Sequence, residues 1–229
     1  MPALINGAGA GVREFGKATR QVLQELTQLN PHEKERGLVY EALTPENRIA
    51  EFHVLYRFRL AAFFRATILF IAQGFGVGRI PVAPGTFGSL VGLVWFAALL
   101  ATRRFELYVL GSFCSIGLSV WLCGVAEKIL KQKDPPSVVL DEIIALPFCF
   151  LPWVIQAWWP QHSLPSLETF FSGRGLRMSV VILILFRIFD ILKPWPIHQS
   201  QRLPGGWGIT IDDVLAAFYV ALLSLFLLV

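Results

Sequence analysis

The sequence predicts an all-α integral membrane protein: a bundle of about five transmembrane helices behind a polar, helical N-terminal extension. Three observations predict it. The 229-residue chain is 55% hydrophobic and only 16% charged, where a soluble domain carries about a quarter charged residues. Its mean hydropathy is +0.58. Uncharged stretches long enough to cross a bilayer recur, most clearly at residues 107–126 and 143–167.

Two parts follow from the distribution of charge: an extension over 1–60 and a membrane domain over 61–229. Val12, Phe15, Val22, Leu26 and Leu29 recur at helical spacing and predict an amphipathic helix stopped by Pro31. A second helix is expected from Thr44 as N-cap, with Pro45 at its first position and Glu46 in its first turn. It carries Arg48, Arg57, Arg59 and Arg65 among Phe52, Tyr56, Phe58, Phe63 and Phe64. That pattern suits a helix lying on an anionic membrane face, and it suits an ordinary packed helix equally. No long apolar core lies near Met1, so no secretory signal is expected, and Glu14, Glu25 and Glu33 oppose an organellar transit peptide. A net charge of +4 points to anionic lipid rather than to nucleic acid.

Residues 66–75 are apolar but too short to cross and are broken by Gly74, Gly76 and Gly78, which predicts an interfacial or re-entrant piece. Five crossings are expected over 87–102, 107–126, 142–160, 177–192 and 212–229. Cys114 and Cys123 would lie on opposite faces of one helix, about 13 Å apart along its axis, which excludes a disulfide between them. The short loops place Arg79, Lys128, Lys131, Lys133, Lys193 and Arg202 on one side, against Arg103, Arg104, Arg174 and Arg177 on the other. The positive-inside bias then puts the N-terminus and the richer side in the cytosol. With that alternation, residues 81–89, 137–142, 187–193 and 205–213 all emerge on the inner rim.

Those four segments carry the chemistry. The first runs from Gly74 through Pro81, Pro84, Gly85, Thr86, Gly88 and Ser89 just before a helix. Glycines let backbone approach an anion and a helix start offers free N–H groups, although a glycine-rich entry to a membrane helix reads the same way. The second is Asp141-Glu142 at a helix start, where carboxylates also serve as plain caps. The third is Arg187, Asp190 and Lys193, spaced i, i+3 and i+6 over about 120° of helix. The fourth is Gly205-Gly206-Trp207-Gly208 followed by Asp212-Asp213, read as a flexible loop delivering two carboxylates to a helix start. An ionised side chain in hydrocarbon costs about 3 kcal/mol even on lenient insertion scales, so such residues are functional candidates. Clustered carboxylate oxygens suit a hard divalent cation such as Mg²⁺, which keeps waters and takes phosphate oxygens, while Arg and Lys suit the phosphate itself. No zinc spacing exists, and His198 reads as an interfacial residue.

The order G-x-G-x-x-x-x-P-x-A-P-G-T-x-G-S, V-x-D-E, F-R-x-x-D-x-x-K-P-x-P-I and G-G-x-G-x-x-x-D-D resembles the phosphatidylglycerophosphatase A family over about residues 65–229. Ala145 and Ala217 depart from it, standing where the family usually has Gly, which bears on close helix packing. The resemblance implies a small multi-pass phosphatase of the bacterial inner membrane, with its active site on the cytoplasmic face. It would dephosphorylate phosphatidylglycerophosphate to phosphatidylglycerol with Mg²⁺, in phospholipid biosynthesis.

On that basis Asp141, Glu142, Asp212 and Asp213 are expected to hold one or two Mg²⁺ ions, with Asp190 as a further ligand or the base. Arg187 and Lys193 would stabilise the phosphoryl oxygens. Pro84, Gly85, Thr86, Gly88 and Ser89 would contact the substrate, and Thr86 is either a hydroxyl contact or the nucleophile. The alternatives are another enzyme of membrane lipid phosphates, including a transferase, or a cation transporter. A transport pathway would place its carboxylates at mid-membrane, whereas these lie at segment ends.

Overall fold

The computed structural model describes residues 45–160 and 162–227. The helix expected over residues 12–29 lies outside the described residues, as does the Thr44 cap. The chain divides into two units, residues 1–67 and 68–229, and the account of packing below concerns the second.

All regular structure among the described residues is helical. Helix α1 spans Pro45–Ala72, so residues 66–72 are the end of a long helix rather than a separate re-entrant piece. The break comes where the glycines are. Gly74 at φ 57°, Phe75 at φ 57° and Gly76 at φ 98° turn the chain through the left-handed region, and a short 3-10 segment covers Gly74–Arg79. Then come α2 (Pro84–Ala101), α3 (Phe105–Leu130) and α4 (Leu140–Trp158). A five-residue α5 (Leu167–Phe171) leads to α6 (Gly173–Leu192), and a single turn, α7 (Ile197–Ser200), leads to α8 (Gly206–Leu227).

Helices α2, α3, α4 and α8 are long and apolar enough to cross a bilayer. The fifth expected crossing, α6, is a helix of 20 residues, long enough for about 30 Å, but it carries Arg174, Arg177, Arg187 and Asp190. The long helices leave a belt of large apolar side chains exposed, among them Val94, Phe113, Trp121, Ile184, Phe218 and Phe226. Water does not tolerate such a surface, and lipid does.

Helices α4 and α8 form the centre. They pack on each other, α4 also packs on α2, α3 and α6, and α8 also packs on α3, α6 and α7. Ala145 and Ala217 are fully buried in this core. Phe96 stacks on Phe150 with ring centroids 4.2 Å apart. Pro147 and Pro152 sit inside α4. Tyr108 of α3 donates its hydroxyl to the Pro147 carbonyl at 2.7 Å, which ties the two helices together.

Close approach of α3 and α8 depends on small residues. A Cβ on Gly206 would run into the Val120 carbonyl, and one on Gly124 would meet the Gly206 backbone. The buried hydroxyls of Ser119 and Thr210 hydrogen-bond across the same contact at 3.0 Å. This explains one departure from expectation: residues 206–208 are the first turn of α8, not a flexible loop, because the missing side chain of Gly206 is what lets the helix dock on α3. Alternating helix directions then collect the starts of α2, α4 and α8 and the ends of α3 and α6 at one end of the bundle.

Candidate active site at one end of the bundle

Asp141 and Glu142 sit in the first turn of α4. Asp212 and Asp213 sit in the second turn of α8, not at its opening. Arg187 and Asp190 occupy the last two turns of α6, and Lys193 caps that helix in a left-handed conformation at φ 43°. Each position is set by packing: α4 and α8 are the central pair, and α6 lies against both.

A continuous chain of ion pairs joins the three helices. Arg187 donates through Nη1 to Glu142 Oε1 at 3.0 Å and pairs with Asp190 Oδ2 at 2.8 Å. Lys193 Nζ lies 3.8 Å from Asp190 Oδ1 and donates to Asp212 Oδ2 at 2.5 Å. Asp190 is thus a strut between the two cations, with an oxygen turned to each. Asp141 and Asp213 make no such pair, yet they interact electrostatically with each other and with Glu142, Asp190 and Asp212. Asp212 is 2% exposed, Asp213 3%, Asp141 7% and Asp190 8%.

Buried charge of this kind is expensive unless it is paired, so the unpaired atoms matter most. Asp141 Oδ1, Glu142 Oε2, Asp212 Oδ1 and Asp213 Oδ2 are buried acceptors without a hydrogen-bond partner. Arg187 Nε is a buried donor without one. At Lys193, burial alone would lower the pKa, but the Asp212 carboxylate, aided by Asp213 and Asp190, more than offsets it. The ammonium is held above the ordinary lysine range, so it stays charged throughout neutral pH.

The glycine-rich first segment reaches the same place for a different reason than anion contact alone. A Cβ on Gly85 would overlap Glu142 Oε1 and crowd the Arg187 guanidinium, and one on Gly88 would lie 2.5 Å from Glu142 Oε2. Upstream, Gly74 is packed against Val139 and Ile143, and Gly78 against the Ser137 carbonyl. Val139 N–H donates to the Ala72 carbonyl at 3.0 Å, and the Gln73 side chain donates to Ser137 Oγ at 3.2 Å. The segment therefore clamps the strand of chain that delivers Asp141 and Glu142.

The residues of this segment differ in their surroundings. Pro84 is the first residue of α2, so Thr86, Gly88 and Ser89 lie within the helix rather than before it. Ser89 is fully buried and donates its hydroxyl to the Gly85 carbonyl at 3.0 Å, which leaves no hydroxyl proton for a ligand. Thr86 is exposed. His198 is exposed as well, as an interfacial residue would be, and all three cysteines are free.

The description of the matching family model is phosphatidylglycerophosphatase A, and the match spans residues 70–228. The chain belongs to the phosphatidylglycerophosphatase A family. It is therefore a phosphatase, a phosphoric monoester hydrolase. Two relatives named phosphatidylglycerophosphatase A are similar to it. The Haemophilus influenzae protein is 33% identical over 153 residues, covering 66% of this chain and 83% of its own. The Escherichia coli protein is 34% identical over 148 residues, covering 64% of this chain and 74% of its own. A Bacteroides thetaiotaomicron protein with the provisional name phosphatidylinositol-3-phosphatase is 34% identical over 158 residues, covering 65% of this chain and 86% of its own. No solved structure matches the chain.

Among the described residues, no three His, Cys, Asp or Glu side chains are gathered into a ready-made metal cage. Arg187 and Lys193 occupy several of the oxygens such a cage would use. The donor chemistry nevertheless fits a hard cation: four orphaned carboxylate oxygens from two helices, in a cluster where acids outnumber bases.

Sequence reasoning missed Gln201. Its side-chain amide donates to Asp212 Oδ2 at 3.1 Å. It also lines a cavity of about 320 Å³ with Glu127, Lys133 and Asp134. Nothing in its type or spacing marks it, because its position depends on the single turn of α7.

Proposed function

We propose that this chain hydrolyses the terminal phosphate monoester of phosphatidylglycerophosphate, giving phosphatidylglycerol and inorganic phosphate, with Mg²⁺ as cofactor. The reaction would run at the cytosolic rim of a bacterial inner membrane, as a step of phospholipid biosynthesis. One observation carries the reading: the buried ion-pair network of Glu142, Arg187, Asp190, Lys193 and Asp212, with the unpaired Asp141 and Asp213 beside two of its members in sequence, leaves four carboxylate oxygens and one guanidinium donor orphaned. Acceptors without donors call for a cation, and a donor without an acceptor calls for an anion. A metal-assisted phosphate site supplies both.

Asp141, Glu142, Asp212 and Asp213 would hold the metal. When bound, it would supply the positive charge that polarises the phosphoryl group and lowers the pKa of water. Arg187 offers its free Nε to a non-bridging phosphoryl oxygen and would stabilise charge as it develops there. Lys193 and Asp190 keep that guanidinium and Asp212 in register. The P–O bond to the glycerol oxygen breaks, water provides the new P–O bond, and its proton is transferred to the departing glycerol oxygen. A two-chain lipid substrate also accounts for a phosphatase built of membrane helices: only the head group has to leave the lipid plane.

The cytosolic placement is supported by charge. Arg79, Lys128, Lys131, Lys133 and Arg202 lie at the site end of the bundle, and Arg103, Arg104 and Arg174 at the other. The Bacteroides relative's name favours a second substrate class, phosphoinositide monoesters. The test is phosphate release by purified protein from phosphatidylglycerophosphate, phosphatidic acid and phosphatidylinositol 3-phosphate, each with and without Mg²⁺. The proposal expects Mg²⁺-dependent release with the first substrate preferred. Turnover unaffected by excess chelator, or a preference for another substrate, would overturn the corresponding part.

A further inference from the structure

We propose that Gln201 is a positioning residue for Asp212: it shares Oδ2 with Lys193 and so leaves Oδ1 as the oxygen presented to a divalent cation. The inference rests on the metal-dependent reading above and adds a residue to it. Asp212 Oδ2 receives two donors, Lys193 Nζ at 2.5 Å and Gln201 Nε2 at 3.1 Å. Its other oxygen, Oδ1, is buried and has none. Two donors on one oxygen fix the carboxylate plane and decide which oxygen is offered.

Gln201 is itself held from several sides. It caps α7, a turn anchored by the fully buried Ile197. The Ser200 hydroxyl donates to the Ile197 carbonyl at 2.7 Å. Gly208 of α8 comes so close to Gln201 that a Cβ there would lie 3.1 Å from its carbonyl oxygen. Gln201 also borders the cavity with Lys133 and Asp134, and its amide is directed at Asp212. A neutral donor suits this position. It orients the carboxylate without adding a positive charge that would compete with a cation, as a second lysine would. Outer partners of metal-binding carboxylates typically alter metal affinity by about 10- to 100-fold when removed.

The experiment uses full-length purified protein. Gln201→Leu removes the donor at similar size, Gln201→Glu replaces it with an acceptor, and Gln199→Leu is the control on an exposed glutamine two residues away. Mn²⁺ binding to the resting protein is followed by electron paramagnetic resonance, alongside kcat, KM for lipid and the Mg²⁺ concentration for half-maximal rate. Gln201→Leu should raise the Mn²⁺ Kd and the half-maximal Mg²⁺ concentration about tenfold, with lipid KM within about twofold. Gln201→Glu should fall at least as far, and Gln199→Leu should match wild type. Unchanged Mn²⁺ affinity in both Gln201 variants, a loss confined to lipid KM, or a wild-type protein that binds no Mn²⁺ would each overturn the inference. A wild type that binds Mn²⁺ through Gln201 but spares phosphatidylglycerophosphate would overturn the substrate reading instead.

Discussion

The two acid pairs reach the same division of labour from different local structures. On α4, Glu142 is paired with Arg187 and Asp141 is not; on α8, Asp212 is paired with Lys193 and Asp213 is not. The α4 pair sits in a first turn, clamped by Gly85 of α2 against the flexible ends of Glu142 and Arg187 and by Gly88 against Glu142 and Val139. The α8 pair sits a turn deeper, and its helix is placed by Gly206 against backbone of α3. One member of each pair is thus tied through one oxygen to a cation of α6, while the other makes no ion pair among the described residues, and all four keep one orphaned oxygen. Tying fixes the geometry of one carboxylate in each pair, and the untied neighbour has no cation of the protein to neutralise it.

The strongest way to break this comparison is to neutralise the untied members. Asp141→Asn or Asp213→Asn should lower phosphate release by at least about 1,000-fold, with expression and membrane insertion intact, on the scale of losing a catalytic metal's charge stabilisation. Near-normal release would remove both from the metal site. Chelation should silence the wild-type enzyme to the same degree and added Mg²⁺ should restore it; activity in excess chelator would count against the cation altogether.

Arg187→Lys keeps a positive charge but loses the planar fork and the Nε donor. Its kcat should fall about 100-fold, the scale of one lost oxyanion donor, and a wild-type kcat would exclude Nε as a phosphate contact. The two glycine clamps sharpen the contrast further. Gly206→Ala drives a Cβ into the Val120 carbonyl, so it should destabilise the protein by about 1–3 kcal/mol, read as a lower Tm in detergent. Gly85→Ala meets only the movable ends of Glu142 and Arg187 and should lower activity with little change in Tm. If the two variants behaved alike, the clamps would not differ as described. The smallest effect is expected from deleting residues 1–40, which should leave activity within about twofold, because every site residue lies in the unit over 68–229.

Much of this was legible beforehand. The uncharged runs 107–126 and 143–167 pointed to membrane helices, and the structure places one over Phe105–Leu130 and one over Leu140–Trp158. The acids and bases of the site stood out because charge at the ends of such helices is costly. The helix bounds were less legible at glycines. Residues 206–208 looked like a loop because glycine disfavours an isolated helix, and the tertiary contact with α3 reversed that preference. Residues 66–75 looked separate because their apolar run is short, although the helix that contains them begins at Pro45. Ser89 looked like a free donor because a sequence does not show a hydroxyl turning back to the Gly85 carbonyl.

By itself the amino-acid order determined the membrane class, the helical bundle, the charged residues and the family, because hydropathy and motif spacing act along the chain. Only the tertiary structure decided which acid pairs with which base, that Asp190 is a strut, and that Gln201 belongs beside Asp212. Those outcomes depend on helices α4, α6 and α8 meeting at one end, and on distances of a few ångströms between residues far apart along the chain.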